Sequence, residues 1–260
     1  MLIDTHAHLY LKQFDEDLTE VINRAKAAGV QKVYLPNIDQ ASIESMLRLE
    51  KSHPDFFFPM MGLHPCSVKA DYKEELKIVK GWLDRRPFCA VGEIGIDLYW
   101  DKTFVKEQQD AFLTQARWAV DLDVPIVIHS RESTDMIIEL LRENWIDGLR
   151  GIFHCFGGSV EQAKAIIDLG FYLGIGGVLT FKKSGLDKTL KEVSLEHLVL
   201  ETDSPYLAPT PYRGKRNESA YTRLVAEKLA LVKDLSLEEV MQKTTENALK
   251  IFVREPENSQ

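Results

Sequence analysis

The residues of this chain that could carry chemistry are histidines and carboxylates that directly follow short apolar segments. His6 and His8 are separated by one residue after the apolar pair at 2–3, and an extended segment with that spacing points both imidazoles to the same side. Four further candidates end later apolar segments in the same way: Glu93, His129, His154 and Asp203. Neutral imidazoles and carboxylates without cysteine suit Zn²⁺, Mn²⁺, Fe²⁺ or Co²⁺, with Mg²⁺ also possible. The pattern therefore indicates a divalent metal site.

The number of candidate ligands favours two metal ions over one. Six ligands exceed the three or four that a single catalytic zinc ion needs, whereas two-metal sites hold their ions about 3.5–4 Å apart. Glu93 is the natural carboxylate to bridge them, with His129 and His154 on the second ion. A desolvated carboxylate or imidazole would be costly at these positions without a partner, which favours a shared metal site over unrelated buried histidines.

Eight short β-type segments alternate with longer amphipathic segments, and these elements would have to position the candidate ligands. The β-type segments are 2–3, 33–35, 56–61, 89–91, 126–128, 151–153, 171–173 and 198–200, and helical patterns cover 18–25, 76–83, 112–120, 219–233 and 236–252. Ser133 is placed to cap a further helix, and Ser159 with Gln162 matches a capping box. This rhythm predicts a (β/α)₈ barrel, in which chemistry lies at the carboxyl ends of the strands. A doubly wound sheet is the alternative, but it usually has a glycine-rich turn after its first strand.

The composition predicts an ordinary globular protein. The 260 residues carry 32 Lys and Arg against 40 Asp and Glu, a formal net charge of −8, which argues against broad non-specific binding of duplex nucleic acid. No apolar stretch is long enough to span a membrane, the N-terminus lacks a signal-peptide pattern, and three scattered cysteines do not form a disulfide framework. We therefore expect one cytoplasmic barrel domain over 1–253, a last helix packed across the outside of the barrel, and a frayed tail over 254–260. We expect no membrane partner and no obligatory protein partner.

Longer motifs surround the candidate ligands. They are Ile3-Asp4-Thr5-His6-Ala7-His8, Gly62-Leu63-His64-Pro65, Gly92-Glu93-Ile94-Gly95, His129-Ser130-Arg131, His154-Cys155-Phe156 and Glu201-Thr202-Asp203-Ser204-Pro205. In this order and spacing, over essentially the whole chain, they resemble the TatD family of metal-dependent hydrolases, within the amidohydrolase-like barrels. The resemblance implies that two ions share their ligands in this way: His6, His8 and Asp203 on the first ion, His129 and His154 on the second, and Glu93 between them.

The resemblance also implies 3′–5′ exonuclease or other deoxyribonuclease activity on DNA ends or single strands. Two ions would lower the pKa of a bridging water and provide hydroxide for in-line attack on a phosphodiester, with Asp203 accepting the proton. Glu201 is expected one layer deeper in the barrel, where it can orient a ligand histidine through a hydrogen bond. His64 would hold a substrate phosphate or protonate the leaving oxygen. The roles of Cys66 and Tyr10 stay open, and Tyr10 departs from the Asp or Asn that family members often carry.

Basic residues after the strands are candidates for binding phosphate, because phosphate sites in barrels often use the loops after strands seven and eight. The candidates that follow predicted ligands most closely are Arg131, Arg213 and Lys215. Lys182 and Lys183 are either further phosphate contacts or a solvated charged segment. Aromatic residues near the rim, among them Trp100 and Tyr206, could stack unpaired bases, although core packing explains them equally. We expect a flexible strand to be threaded into a small metal site with a basic rim.

Other functions share several of these features. An amidohydrolase, lactonase or phosphotriesterase would use the same barrel, but many of these enzymes bridge their metals with a carboxylated lysine, and this chain has Glu93. A D-aminoacyl-tRNA deacylase would direct the same hydroxide at a carbonyl carbon. A non-enzymatic binding protein has no need of two open metal positions, so the sequence favours a hydrolase.

Overall fold

Eight parallel strands form a barrel whose strands all end at one rim. The computed structural model describes residues 1–252, so the tail predicted over 254–260 lies outside the described residues. The strands are β1 (Leu2–Asp4), β2 (Val30–Leu35), β3 (Phe57–Pro59), β4 (Val91–Asp97), β5 (Ile126–Arg131), β6 (Gly151–Phe153), β7 (Tyr172–Ile175) and β8 (Leu198–Leu200). Each strand overlaps one predicted β-type segment, and the predicted (β/α)₈ architecture is confirmed.

Helices separate the strands and cover the outside of the barrel. Within residues 1–252 they are α1 (Leu18–Ala27), α2 (Gln40–Ser52), α3 (Tyr72–Leu83), α4 (Val105–Asp121), α5 (Thr134–Glu143), α6 (Val160–Asp168), α7 (Leu186–Glu192), α8 (Thr222–Lys233) and α9 (Leu237–Ile251). In the part of the chain so described, no helix combines the length and apolarity that a membrane span requires. The sequence patterns had not singled out α2 and α7.

The sequence predicted helix caps at Ser159 and at Ser133, and only the first of them forms the expected side-chain hydrogen bonds. The capping box at α6 is confirmed, because the side chains of Ser159 and Gln162 each accept a hydrogen bond from the backbone of the other. Ser133 occupies the predicted N-cap position of α5, but its side chain makes no capping hydrogen bond. Its hydroxyl instead donates to the carbonyl of Ile96, and this bond ties the start of α5 to β4.

The barrel closes through two seams between a three-stranded and a five-stranded sheet. At the first seam, between β3 and β4, the N–H of Gly92 donates to the carbonyl of Met61 over 3.1 Å. At the second, between β8 and β1, the N–H of Thr5 donates to the carbonyl of Leu200 over 3.0 Å. The carboxylate of Asp4 also accepts bonds from the N–H and hydroxyl of Thr202 at this seam. Closure places the ends of β1 and β8 side by side.

The end of the barrel opposite the strand ends is filled by apolar side chains and covered by α9. Inward-facing residues of the strands pack in one cluster with the last turn of α9: Ile3, Tyr34, Phe58, Met60, Val127, Ile152, Val199, Ala248, Ile251 and Phe252. The amide of Asn247 donates to the carbonyls of Leu195 and Leu198, 2.8 Å each, at the start of β8. The expectation that this helix packs across the outside of the barrel was therefore wrong, because its C-terminal half covers one mouth.

Replacing Phe252 by alanine is expected to lower the free energy of unfolding by about 3–5 kcal/mol, because a buried aromatic ring leaves a cavity when it is removed. The ring is 2% exposed and stacks on Tyr34 with the centroids 3.8 Å apart. Urea denaturation followed by circular dichroism measures the change. Leu231→Ala is the control, since that side chain is 79% exposed on α8 and such changes stay within about 0.5 kcal/mol. Equal effects of the two substitutions would contradict the role of α9 as a cover.

Candidate metal centre

The strand ends bring the predicted ligands together around one buried carboxylate, that of Glu93. Its Oε2 lies 3.1 Å from His6 Nε2 and 3.5 Å from His8 Nε2. Its Oε1 lies 2.8 Å from His129 Nδ1 and 3.0 Å from His154 Nε2. The two oxygens of one carboxylate therefore face two different pairs of imidazoles, which is the arrangement that a bridging ligand requires.

Asp203 completes the group that contains His6 and His8. Its Oδ1 lies 3.8 Å from His6 Nε2 and 3.5 Å from His8 Nε2, and one donor atom from each residue lies within 4.8 Å of the others. The backbone of Asp203 has a φ of 56°, in the left-handed region that non-glycine residues seldom adopt. A hydrogen bond of 2.9 Å from its N–H to the carbonyl of His6 holds it there. The same two residues thus join β8 to β1 and offer ligand atoms.

The donor set fits divalent cations better than a network of hydrogen bonds. His6 Nε2 and His8 Nε2 are 3.3 Å apart, and the rings of His6 and His154 stack with their centroids 3.8 Å apart. Among the described residues, His6 Nδ1 is buried without a hydrogen-bond partner. Burial lowers the pKa of His6, and the neighbouring His154 lowers it further, so His6 presents the neutral ring that metal binding requires. A cation between these nitrogens would replace the repulsion of facing lone pairs by attraction.

The two carboxylates of the centre are held in their ionised form. Burial alone would raise the pKa of Glu93, but its electrostatic interactions with the imidazoles of His64, His154 and His6 outweigh burial and hold the pKa well below its usual range. Burial also opposes ionisation of Asp203, whose pKa is lowered by its contact with His8 and by the neighbouring imidazoles of His154 and His6. Glu93 and Asp203 are therefore in the ionised form in which a carboxylate binds metal.

Glu201 lies beneath the centre, where the sequence placed it. Its Oε1 is 3.3 Å from His154 Nδ1 and accepts a bond of 2.7 Å from the N–H of Cys155. The carboxylate therefore holds the proton of His154 on Nδ1 and leaves Nε2 to face Glu93. Gly174 provides the space, since a Cβ there would lie 2.2 Å from Glu201 Oε2.

Asp97 is a contact of the centre that the sequence reasoning did not assign. Its Oδ2 lies 2.8 Å from His129 Nε2, and its Oδ1 accepts the N–H groups of Tyr99 and Trp100. Burial opposes ionisation, but the bonds from His129 and these backbone groups hold the pKa of Asp97 below its usual range. The even spacing between Glu93 and Asp97 on β4 was the available signal, because residues two and four apart share a strand face.

His64 belongs to the cluster but differs from the ligands in its hydrogen bonding. The N–H of Cys66 donates to His64 Nδ1 over 3.0 Å. A backbone N–H cannot accept, so Nδ1 carries the lone pair and the ring proton lies on Nε2, 3.3 Å from Glu93 Oε1. His64 thus presents a donor to the centre, whereas a metal ligand must present a lone pair. Cys66 therefore contributes its backbone N–H, which fixes the tautomer of His64, and not its thiol.

Tyr10 lies behind His8 on the side away from the carboxylates. Its hydroxyl is 2.9 Å from His8 Nδ1 and donates a hydrogen bond to the carbonyl of Pro36. The side chain is buried, so Tyr10 contacts a predicted ligand and does not reach solvent.

A cavity of about 710 Å³ opens above the centre. Its lining includes the donor His64, the ligands His8, Glu93, His129, His154 and Asp203, and the three predicted phosphate contacts Arg131, Arg213 and Lys215. The guanidinium of Arg131 lies 3.8 Å from the ring centroid of Tyr99, and that of Arg213 lies 3.5 Å from the centroid of Phe181. Trp100, 69% exposed, also lines the cavity. The mouth is therefore cationic and aromatic, whereas the floor carries the carboxylates.

Three further basic residues follow β7 and β8, Lys182, Lys183 and Arg216, and the fold places them differently. Arg216 points away from the cavity and pairs with Asp17 through bonds of 2.7 and 2.6 Å. Lys182 and Lys183 line a neighbouring cavity that shares Phe181 and Arg213 with the first one.

Comparisons with known proteins agree with this geometry. A family model described as TatD related DNase matches residues 3–253. YabD of Bacillus subtilis (strain 168), an uncharacterized metal-dependent hydrolase, is 39% identical over 97% of this chain and 99% of its own length. YcfH of Escherichia coli (strain K12), also an uncharacterized metal-dependent hydrolase, is 31% identical over 96% of this chain and 95% of its own. The solved structure of YJJV, a TatD homologue from Escherichia coli K12, superposes with a TM-score of 0.91 at 29% identity, and 98% of each chain is covered.

The family match covers residues 3–253 and so includes all the strand ends that meet around Glu93. This chain therefore belongs to the TatD family and is a metal-dependent hydrolase.

Proposed function

We propose that this chain is a phosphodiesterase that removes nucleotides from the 3′ end of single-stranded or frayed DNA. The observation that carries the proposal is the bridging position of Glu93, whose two oxygens face two groups of histidines, as expected of a site for two metal ions around a phosphodiester. The description of the family as DNase-related supports a polynucleotide substrate. The direction of digestion follows the resemblance to the family.

Each group around the cavity has a role in this reaction. Divalent ions held by the two ligand groups would polarise a phosphoryl oxygen and lower the pKa of a water molecule that serves as nucleophile. Asp203 is ionised and 15% exposed, so it is placed to accept the proton that the water loses. The Nε2–H of His64 is placed to donate a hydrogen bond either to the leaving oxygen or to a phosphoryl oxygen. Glu201 and Asp97 act through His154 and His129, whose rings they orient.

The charge distribution favours a strand end over an intact duplex. The chain carries a net charge of −8, and duplex binding over a broad face requires many cationic contacts. Arg131, Arg213 and Lys215 instead concentrate positive charge at the mouth of one cavity. Such a rim can bind the phosphates that flank a scissile bond, and the exposed ring of Trp100 can stack a base that is free of its partner.

The purified protein with Mn²⁺, Mg²⁺ or Zn²⁺ is expected to shorten a 5′-labelled single-stranded oligonucleotide from its 3′ end and to act more slowly on a blunt duplex. Denaturing gels show the polarity, and EDTA provides the metal-free control.

Asp203→Asn is expected to lower the rate by about 10²–10⁴-fold, the usual contribution of a proton acceptor, while plasma mass spectrometry finds the metal largely bound. Full activity of this variant would contradict the role of Asp203 as the proton acceptor. If the protein hydrolyses D-aminoacyl-tRNA and leaves the DNA intact, the proposed nuclease activity is wrong and the protein is a deacylase.

His64→Gln is expected to lower the turnover of DNA by about 10²–10⁴-fold without loss of bound metal, because the bond from Cys66 makes His64 a donor. His154→Gln is the matched variant that should lose metal. A bis-aryl phosphodiester separates the two roles of His64, since its leaving group needs little protonation. If His64 stabilises the leaving oxygen by a hydrogen bond, the variant spares this substrate, and if His64 holds the phosphate, both substrates slow equally. Loss of metal from His64→Gln would contradict its assignment as a donor.

A further inference from the structure

A second cavity, of about 600 Å³, lies beside the one above the metal centre. It is formed by the segments that follow β7 and β8, with Phe181, Lys182 and Lys183 from the first and Thr210 and Arg213 from the second. Phe181 and Arg213 line both cavities, so the stacked pair that they form is the wall between them. An extended polymer that passes over this wall would enter the second cavity directly from the cavity above the metal centre.

The walls of the second cavity are held in place before any ligand binds. The N–H of Thr210 donates to the hydroxyl of Thr180 over 2.8 Å, and the hydroxyl of Thr210 contacts the carbonyl of Thr180. A Cβ at Gly177 would lie 2.0 Å from the carbonyl oxygen of Leu207, so the two segments are in close backbone contact. A preformed pocket binds its ligand without the cost of ordering loops.

The cations of this cavity are available to an external anion. Among the residues that the structure describes, Lys182, Lys183 and Arg213 form no ion pair with a carboxylate, whereas Arg216 is paired with Asp17. Lys182 and Lys183 are exposed, and the guanidinium of Arg213 is fixed over Phe181. Three cations without carboxylate partners around an apolar wall, in a protein of net charge −8, match the phosphate and the sugar or base of a nucleotide.

We propose that this cavity is a second nucleotide-binding subsite, which takes the nucleotide next to the scissile phosphate as the strand passes over the Phe181–Arg213 wall. The inference rests on the proposed function, because it assigns the path of a polynucleotide whose cleavage occurs at the metal centre. The subsite binds only substrates that contain more than one phosphodiester bond, so the cleavage of small diesters does not depend on it. It gives the enzyme a preference for strands over isolated diesters.

The test compares Lys182→Ala/Lys183→Ala with wild type on an oligonucleotide and on bis-p-nitrophenyl phosphate. For the oligonucleotide, kcat/KM is expected to fall about tenfold, and the slope of log(kcat/KM) against log salt to decrease by about 1.4, since each phosphate contact of a single strand contributes about 0.7. The small diester should be cleaved at the wild-type rate. The matched control is Lys26→Ala/Lys51→Ala, which removes the same charge from exposed positions on α1 and α2.

An unchanged salt slope, or an equal loss on both substrates, would overturn the subsite while the proposed function stands. A wild-type enzyme that leaves the oligonucleotide intact in every metal would overturn both. The same slope change in Lys26→Ala/Lys51→Ala would show that net charge, and not this cavity, attracts the strand.

A separate observation concerns Tyr10 and the tautomer of His8. A phenol has one proton, and that of Tyr10 is donated to the carbonyl of Pro36. The contact of 2.9 Å with His8 Nδ1 can then be a hydrogen bond only if Nδ1 is the donor. The lone pair of His8 is thereby placed on Nε2, which faces Glu93 Oε2 and Asp203 Oδ1, 3.5 Å from each.

We infer that Tyr10 is a positioning residue that fixes His8 as a metal ligand. Tyr10→Phe keeps the buried ring and removes the hydroxyl, so metal affinity in a competition titration is expected to fall about 10–100-fold, the usual effect of losing such a contact. Tyr72→Phe is the control, because its hydroxyl bonds to Asp110 between α3 and α4. Co²⁺ absorption spectra of the two variants provide a second readout. Unchanged affinity and an unchanged spectrum in Tyr10→Phe would overturn the inference, whatever happens to stability.

Discussion

The structure depends on one electrostatic constraint, the burial of Glu93 among imidazoles that come from different strands. A buried carboxylate is costly without compensation, and here the compensation comes from His6, His8, His129 and His154 at distances between 2.8 and 3.5 Å. The contacts of Glu93 with His6 and His8 exist only when the barrel is closed, because β1 and β4 belong to different sheets. The metal centre and the closed barrel therefore require each other, and outer contacts such as Glu201 and Asp97 set which nitrogen of each ring points inward.

The interior of the barrel has an apolar half and a polar half. Toward the amino ends of the strands, apolar side chains and the last turn of α9 fill the space. Toward the carboxyl ends, the same inward-facing positions are occupied by ligands. A well-packed lower half limits how far the strands can shift, which keeps ligand atoms within the few tenths of an ångström that metal coordination tolerates. The loops of the rim, by contrast, carry the cations and aromatic rings that line the cavity.

Much of this arrangement was predictable from the sequence, because each ligand ends an apolar segment and parallel strands align their ends. The strand order, the barrel and the placement of Glu201 follow from that rule. The contacts that decide tautomers were not predictable, since they depend on backbone groups such as the Pro36 carbonyl and the Cys66 amide. The position of α9 was also missed, because an amphipathic pattern shows that one face is buried but not which surface buries it. Arg213 and Arg216 are close in sequence, yet only the fold shows that Asp17 binds Arg216.

The hydrogen bond from the N–H of Asp203 to the carbonyl of His6 has a consequence for biosynthesis. It joins residues near the two ends of the barrel sequence, and chains are made from the amino terminus onward. The nascent chain presents His6 and His8 early, but Asp203, the third member of their group, is made only after β8. Unfinished or truncated chains that lack β8 would therefore lack both Asp203 and the seam that closes the barrel, and their centre would be incomplete.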